Sequence, residues 1–174
     1  ILDVKQTPNR ADFMAMWSVA METGAILNRE VHLPDYDVIS DKGIEPTLKI
    51  ASATENCPVF LGRIINKVKV GPSPKWMSDH LHAAGIKSIN NVVDISNYVM
   101  LETGQPLHFY DLAKMPHREI TVVDDVDMTM TALDGVEYEI KKGDLLITTG
   151  GQPTGVAGIM GGDDSKIDEE TTGI

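Results

Sequence analysis

Apolar residues recur at helical spacing in three stretches of this chain and at strand spacing through much of its second half. Phe13, Met14, Met16, Trp17, Val19, Ala20 and Ala25 lead toward Leu27. Their spacing predicts a helix over 11–27, capped by Asn9 or Asp12 after the turn-forming Thr7-Pro8-Asn9-Arg10. A second helix is predicted over 75–84. Trp76, Met77, Leu81 and Ala84 form its apolar face, Ser73 stands as N-cap, Pro74 takes the first helical position and Gly85 closes the end. A third, over 91–103, places Val92, Ile95 or Ser96, and Val99 on one face and ends near Gly104. Trp17, Trp76 and the methionines are assigned to the core.

Strand signals begin with a short alternation at 47–51. Residues 58–70 carry Val59, Leu61, Ile64, Ile65, Val68 and Val70, enough for one or two strands. From Glu119 the pattern becomes consistently β. Residues 129–133 and 136–140 flank Asp134-Gly135, a strong hairpin signal. Lys142-Gly143-Asp144 turns the chain into 145–148, and Gly150-Gly151 separates that strand from one at 156–160. Residues 28–46, broken by Pro34, Gly43 and Pro46, read as a connector. The expected class is α+β, with short strands covered by the helices at 11–27, 75–84 and 91–103.

Composition narrows the function classes. The 174 residues carry a net charge of −11, which argues against a domain whose main task is gripping nucleic acid. The charge is uneven, however. Residues 60–93 hold Arg63, Lys67, Lys69, Lys75 and Lys87 against Asp79 alone, whereas 119–174 hold thirteen acidic residues against three lysines. Such a body could admit a short phosphate-bearing end but would not wrap a duplex; both regions also fit plain solvated faces. No apolar run approaches the ~20 residues of a membrane span, and no signal peptide is apparent. The single Cys57 excludes an internal disulfide framework and a cysteine-based zinc site, which fits the cytoplasm. Ile1 and Ile174 read as cuts through a longer polypeptide.

Candidate chemistry concentrates in two places. The segment NNVVDISNYVMLETGQPLHFYDL, residues 90–112, sets Asp94, Ser96, Asn97, Gln105, His108 and Asp111 among apolar residues. Short hydrogen-bonding side chains of this kind orient a ligand or a water, so the segment reads as a pocket wall. A lone histidine is commonly structural, but Asp111, three residues on, could orient the His108 ring, and Asn97 adds a polar neighbour. His80 and His82 point to different helix faces and do not read as a metal pair. Ser96 lacks a Gly-x-Ser-x-Gly elbow, which disfavours a serine hydrolase. The second place is GVAGIMGG, residues 155–162. Dense glycine lets backbone approach a ligand closely, and it equally suits a strand ending in tight turns at a sheet edge. It matches neither a P-loop nor a dinucleotide fingerprint.

These words resemble a known family. AAGIKSINNVVDISNYVMLETGQPLHFYDL, ALDGVEYEI, GVAGIMGGDDSKIDEETTGI and LDVKQTPNRADF are similar to the β subunit of bacterial phenylalanyl-tRNA synthetase. The region matched is its B3/B4 domain. The resemblance implies a lead-in helix and connector over 1–46, an editing domain over 47–174, and a three-layer fold around a mixed β-sandwich. It implies an α2β2 enzyme that attaches phenylalanine to tRNA(Phe) with ATP and magnesium acting on the α subunit, no cofactor or metal in this domain, and hydrolysis here of tyrosine misattached to tRNA(Phe). Carried over by motif, the family's Thr-Asn pair falls on Ser96 and Asn97, its histidine on His108, and the small residues shaping the amino-acid pocket on Ala157, Gly158 and Gly161. Serine at 96 keeps the hydroxyl and loses a methyl. The family's tyrosine-selecting glutamate falls just beyond the position matched by Ile174. A non-catalytic structural or docking module of the same synthetase, and an unrelated small-molecule binding domain, are the competing readings.

Overall fold

The computed structural model describes residues 3–36, 47–115 and 117–174; part of the connector expected over 28–46 lies outside these. The chain forms an α+β fold with three α-helices, a five-stranded sheet and a two-stranded sheet among the described residues. It divides into two compact units, Ile1–Lys42 with Gly71–His108 and Gly43–Val70 with Phe109–Ile174.

In the first unit a 3-10 turn, Ala11–Phe13, leads into α1 (Met16–Leu27). Neither Asn9 nor Asp12 caps α1. Its N-cap is Ala15, with no side-chain hydrogen bond, because the 3-10 turn intervenes and Asp12 instead pairs with Arg10. Asn28 ends the helix with φ at 50°, the left-handed conformation that asparagine tolerates better than most residues. Helix α2 (Lys75–Ala83) closes as expected: Gly85 has φ at +81°, and the Ile86 N–H reaches back to the Leu81 carbonyl at 2.9 Å.

Ser73 is the informative departure. Helix α2 begins at Lys75, as its predicted range has it, but Pro74 stands as the N-cap, with no side-chain hydrogen bond, and not as the first helical residue. The Ser73 hydroxyl donates instead to Asp94 on α3 (Asn91–Thr103). Asp94 is fully buried. Ser88 also donates to it, and the Ile89 N–H does so at 2.9 Å. Burial pushes the Asp94 carboxyl up, but these donors and the nearby His82 together outweigh burial and hold it below the usual aspartate value. The carboxylate therefore fastens the start of α2 and the α2–α3 loop onto α3. Asn90 caps α3 through the Val92 and Val93 N–H groups, and Gly104 ends it.

Leu81 and Val92 are buried in the helical core. Trp76 is not in the core: it stands 52% exposed, edge-on to Tyr98 at 5.3 Å, and Trp17 is only half-buried. Met77, Met115 and Met130 are buried, whereas Met14, Met16 and Met21 are exposed.

In the second unit the sheet order is β1 (Lys49–Ser52), β2 (Glu119–Val123), β5 (Leu146–Thr149), β6 (Gln152–Val156), β7 (Met160–Gly161). β1 runs parallel to β2, and the other pairs are antiparallel. β3 (Met128–Thr131) and β4 (Glu137–Ile140) form the expected hairpin. Val122, Ala132 and Leu146 are fully buried. Two expectations change here. No strand forms over 58–70; among the described residues its pairing is the bridge of Asn66 with Gly173 and the flanking backbone bonds of Ile65 with Ile174 and of Val68 with Thr172. The strand expected at 156–160 is instead a hairpin, with β6 before a turn at 157–159 and β7 after it.

Both tryptophans lie in the first unit, so tryptophan fluorescence reports its unfolding. Asp94→Ala should destabilise it by about 3 kcal/mol in urea titrations, since three buried donors lose a charged acceptor. Because the folded carboxyl titrates below the unfolded one, the Asp94 contribution is complete above about pH 5. It should fade only as the pH falls through about 3.9 toward the lower folded value. A margin between wild type and Asp94→Asn that stayed constant into that acid range would contradict this.

Candidate active site

Helix α3 carries Ser96 and Asn97 at consecutive, half-buried positions. The Ser96 hydroxyl donates to the Val93 carbonyl one turn back at 2.7 Å, leaving its lone pairs for an outside donor. The Asn97 carboxamide makes no hydrogen bond among the described residues, so both its donor and acceptor ends remain available. His108 follows the exposed stretch Gln105-Pro106-Leu107 and ends the first unit. Although its surface is exposed, surrounding protein disfavours the imidazolium by desolvation and lowers its pKa below the usual histidine value. Neutral His108, able to accept a proton, is thus the prevailing form at pH 7.

Asp94 and Asp111 are structural. The Asp111 oxygens accept from the Ala113 N–H and the Thr171 hydroxyl, each at 2.9 Å, and so cap the short 3-10 turn Leu112–Lys114. The pocket-wall reading of residues 90–112 therefore narrows to Ser96, Asn97 and His108.

Ala157, Gly158 and Gly161 all fall in the β6–β7 hairpin of the second unit. The Ala157 N–H donates to Leu145, and the Ile159 N–H closes the turn onto Val156. Gly158, with φ at +71°, is exposed, and its N–H has no partner among the described residues. The Gly161 carbonyl accepts from the Leu133 N–H, tying the hairpin to the β3–β4 turn. Here the glycines serve an edge hairpin and present one backbone donor together. Each set of site residues is assembled inside its own unit.

Tyr110 is a neighbour that the sequence pattern did not single out. Burial pushes its hydroxyl up to about 12, partly offset by a hydrogen bond with Thr154, so it stays protonated. Its oxygen lies 3.8 Å from where a Cβ on Gly155 would sit. An aromatic two residues past His108 carries no signal of its own, and its place beside β6 follows from the fold of the second unit. Two clefts, of about 430 and 470 Å³, are lined by none of the six site residues. Among the described residues no cluster of three His, Cys, Asp or Glu could hold a metal ion. No helix of the described residues is long and apolar enough to cross a membrane.

A family model, the B3/4 domain, matches residues 56–174. Curated relatives match the whole chain. A Phenylalanine–tRNA ligase beta subunit from Geobacillus kaustophilus is 42% identical over 177 residues. Relatives of the same description from Bacillus cereus and Lactococcus lactis are 41% and 39% identical. The chain spans 22% of the length of each of these relatives.

The hairpin glycines differ in what they tolerate. Gly158→Ala should cost about 1 kcal/mol, the strain of an L residue in the left-handed region. At Gly162 an added Cβ would meet the Thr154 carbonyl oxygen at 3.0 Å. Gly162→Ala should therefore loosen the Gly162–Thr154 hydrogen bond of 2.8 Å, seen as faster amide exchange at Gly162. Unchanged exchange there would show that the hairpin gives way without losing its bond.

Proposed function

The chain belongs to the B3/4 domain family, and from that premise we propose that it is the editing domain of a phenylalanine–tRNA ligase β subunit, acting in the cytoplasm. In this reading it hydrolyses tyrosine misattached to tRNA(Phe), within an enzyme whose α subunit joins phenylalanine to that tRNA using ATP and magnesium. The observation that carries the reading is the match of the whole chain, at 42% identity, to a ligase β subunit.

The physical need for such an activity is plain. A hydrophobic pocket built for phenylalanine rejects a ligand that merely adds a hydroxyl by only about a hundredfold, so a separate hydrolytic site must supply the rest. The chain's own residues suit the chemistry. Neutral His108 accepts a hydrogen bond from a water, or its proton, as that water adds to the ester carbonyl. Asn97 and the lone pairs of Ser96 orient the water or the terminal ribose. The tetrahedral adduct then expels the ribose oxygen, which takes up the proton and leaves free tyrosine. Ala157, Gly158 and Gly161 leave room for the amino-acid side chain.

One observation favours a structural module instead: Asp94, Asp111 and the Ser96 hydroxyl proton all have partners inside the fold. Deacylation separates the two readings. The full-length ligase should hydrolyse tyrosyl-tRNA(Phe), and His108→Ala should lower the rate by roughly 100-fold. Ala157→Trp should abolish hydrolysis by filling the pocket while phenylalanine attachment persists. Because the His108 pKa is lowered, the rate should stay level as the pH falls to about 6.5 and decline only below it. No deacylation by the wild-type ligase would favour the structural module, whereas equal, measurable deacylation by wild type and His108→Ala would remove His108 from the chemistry.

A further inference from the structure

Trp76 and His80 stand one turn apart on α2, so their rings share one stripe of the helix. The neighbouring stripe, Met77 and Leu81, is buried in the helical core. His80 is exposed, and Trp76 keeps about half of its surface open to water. Tyr98 of α3 completes the group. Its ring meets the Trp76 ring at 5.3 Å and 89°, and lies over the His80 ring at 6.1 Å and 17°. The Trp76 and His80 rings are 5.9 Å apart. Three rings from two helices therefore brace one another at the surface, with the indole fixed in orientation before any ligand arrives.

The charges around the cluster balance. Lys75 and Lys87 stand against Asp79 and Glu102, in a chain whose net charge is −11. The Lys75 ammonium is bonded to Asp79 at 2.7 Å, and Glu102 accepts from the Tyr36 hydroxyl at 3.1 Å. Asp94 is buried beneath its own three donors. None of these three acids is left unpaired to repel a phosphate. Along α3, Tyr98 follows directly on Ser96 and Asn97.

We propose that Trp76, held by Tyr98 and His80, is a stacking platform for an unpaired base at the acceptor end of the tRNA whose ester is hydrolysed. This inference rests on the editing reading above and adds to it a contact for the RNA on the same helical unit as Ser96 and Asn97. An exposed indole takes any base, because every base has a π-face, and removing one such stack costs roughly 5- to 150-fold in affinity. Stacking fixes where the single strand lies without reading its sequence. Ser96 and Asn97 then meet an end that is already placed.

Kinetics and fluorescence of the full-length ligase test it. On tyrosyl-tRNA(Phe), Trp76→Ala should raise KM about 10-fold with a far smaller change in kcat, and Trp76→Phe, which keeps a ring, should recover most of the loss. A second readout needs no hydrolysis. The difference in indole emission between wild type and Trp76→Phe isolates Trp76, and tRNA(Phe) bearing tyrosine through an amide should quench it. The same tRNA trimmed of its unpaired terminal nucleotides should not. Quenching by an enzyme that fails to deacylate would support the platform while removing the hydrolytic reading. Deacylation with an unchanged KM in Trp76→Ala, and no quenching, would overturn the platform and leave hydrolysis standing. A loss carried by kcat that Trp76→Phe does not restore would overturn it as well, being the mark of a merely structural ring. So would a Trp76 signal shielded from acrylamide in the free ligase, because another part of the enzyme would then cover the indole.

Discussion

A single buried carboxylate organises the helical unit. Asp94 has no lysine or arginine bonded to it; it is satisfied by two serine hydroxyls and a backbone N–H. An ionised group without such donors would be too costly to bury. The donors come from two loops, the approach to α2 and the link between α2 and α3. One side chain thus sets where both helices begin and how they are joined. Ser96 and Asn97 sit on the next half-turn of α3, so their placement depends on the same bond network. A structural aspartate and the proposed chemistry share one helix.

Local signals in the sequence were faithful where the structure is local. Gly85 and Gly104 end α2 and α3 because a left-handed residue must close a helix, and that need is legible in a few adjacent letters. The hairpin around Asp134-Gly135 is equally self-contained. Signals failed where a distant partner competes. Ser73 looks like an N-cap, but its hydroxyl is turned to Asp94, 21 residues away, to which it donates. Asp111 looked like an orienting group for His108 and instead caps its own turn and binds Thr171. Residues 58–70 have strand composition, but a strand needs a neighbour as well as a propensity.

The candidate site was legible by word and only partly by pattern. His108 stands out in any reading, and desolvation gives it a reason to remain neutral. Ala157, Gly158 and Gly161 do share a hairpin, as a dense glycine segment suggests. The one unbonded turn N–H, at Gly158, could not have been read from letters, because bonding within a turn depends on which residue takes the left-handed conformation. Tyr110 escaped notice for a related reason, since its partner Thr154 belongs to a strand whose bounds the pattern misjudged.

The pairing of β1 with β2 has a consequence for biogenesis. Lys49 is matched with Glu119, so the first strand leaves the ribosome well before its partner exists. At elongation rates of about 5–20 residues per second the delay is on the order of 3–15 seconds. Helices α2 and α3 are made entirely within that interval and can close around Asp94 by nearby contacts alone. The nascent chain therefore holds a finished helical pair while β1 waits unpaired. That interval, rather than any step of helix formation, is the longest wait for a partner in the five-stranded sheet.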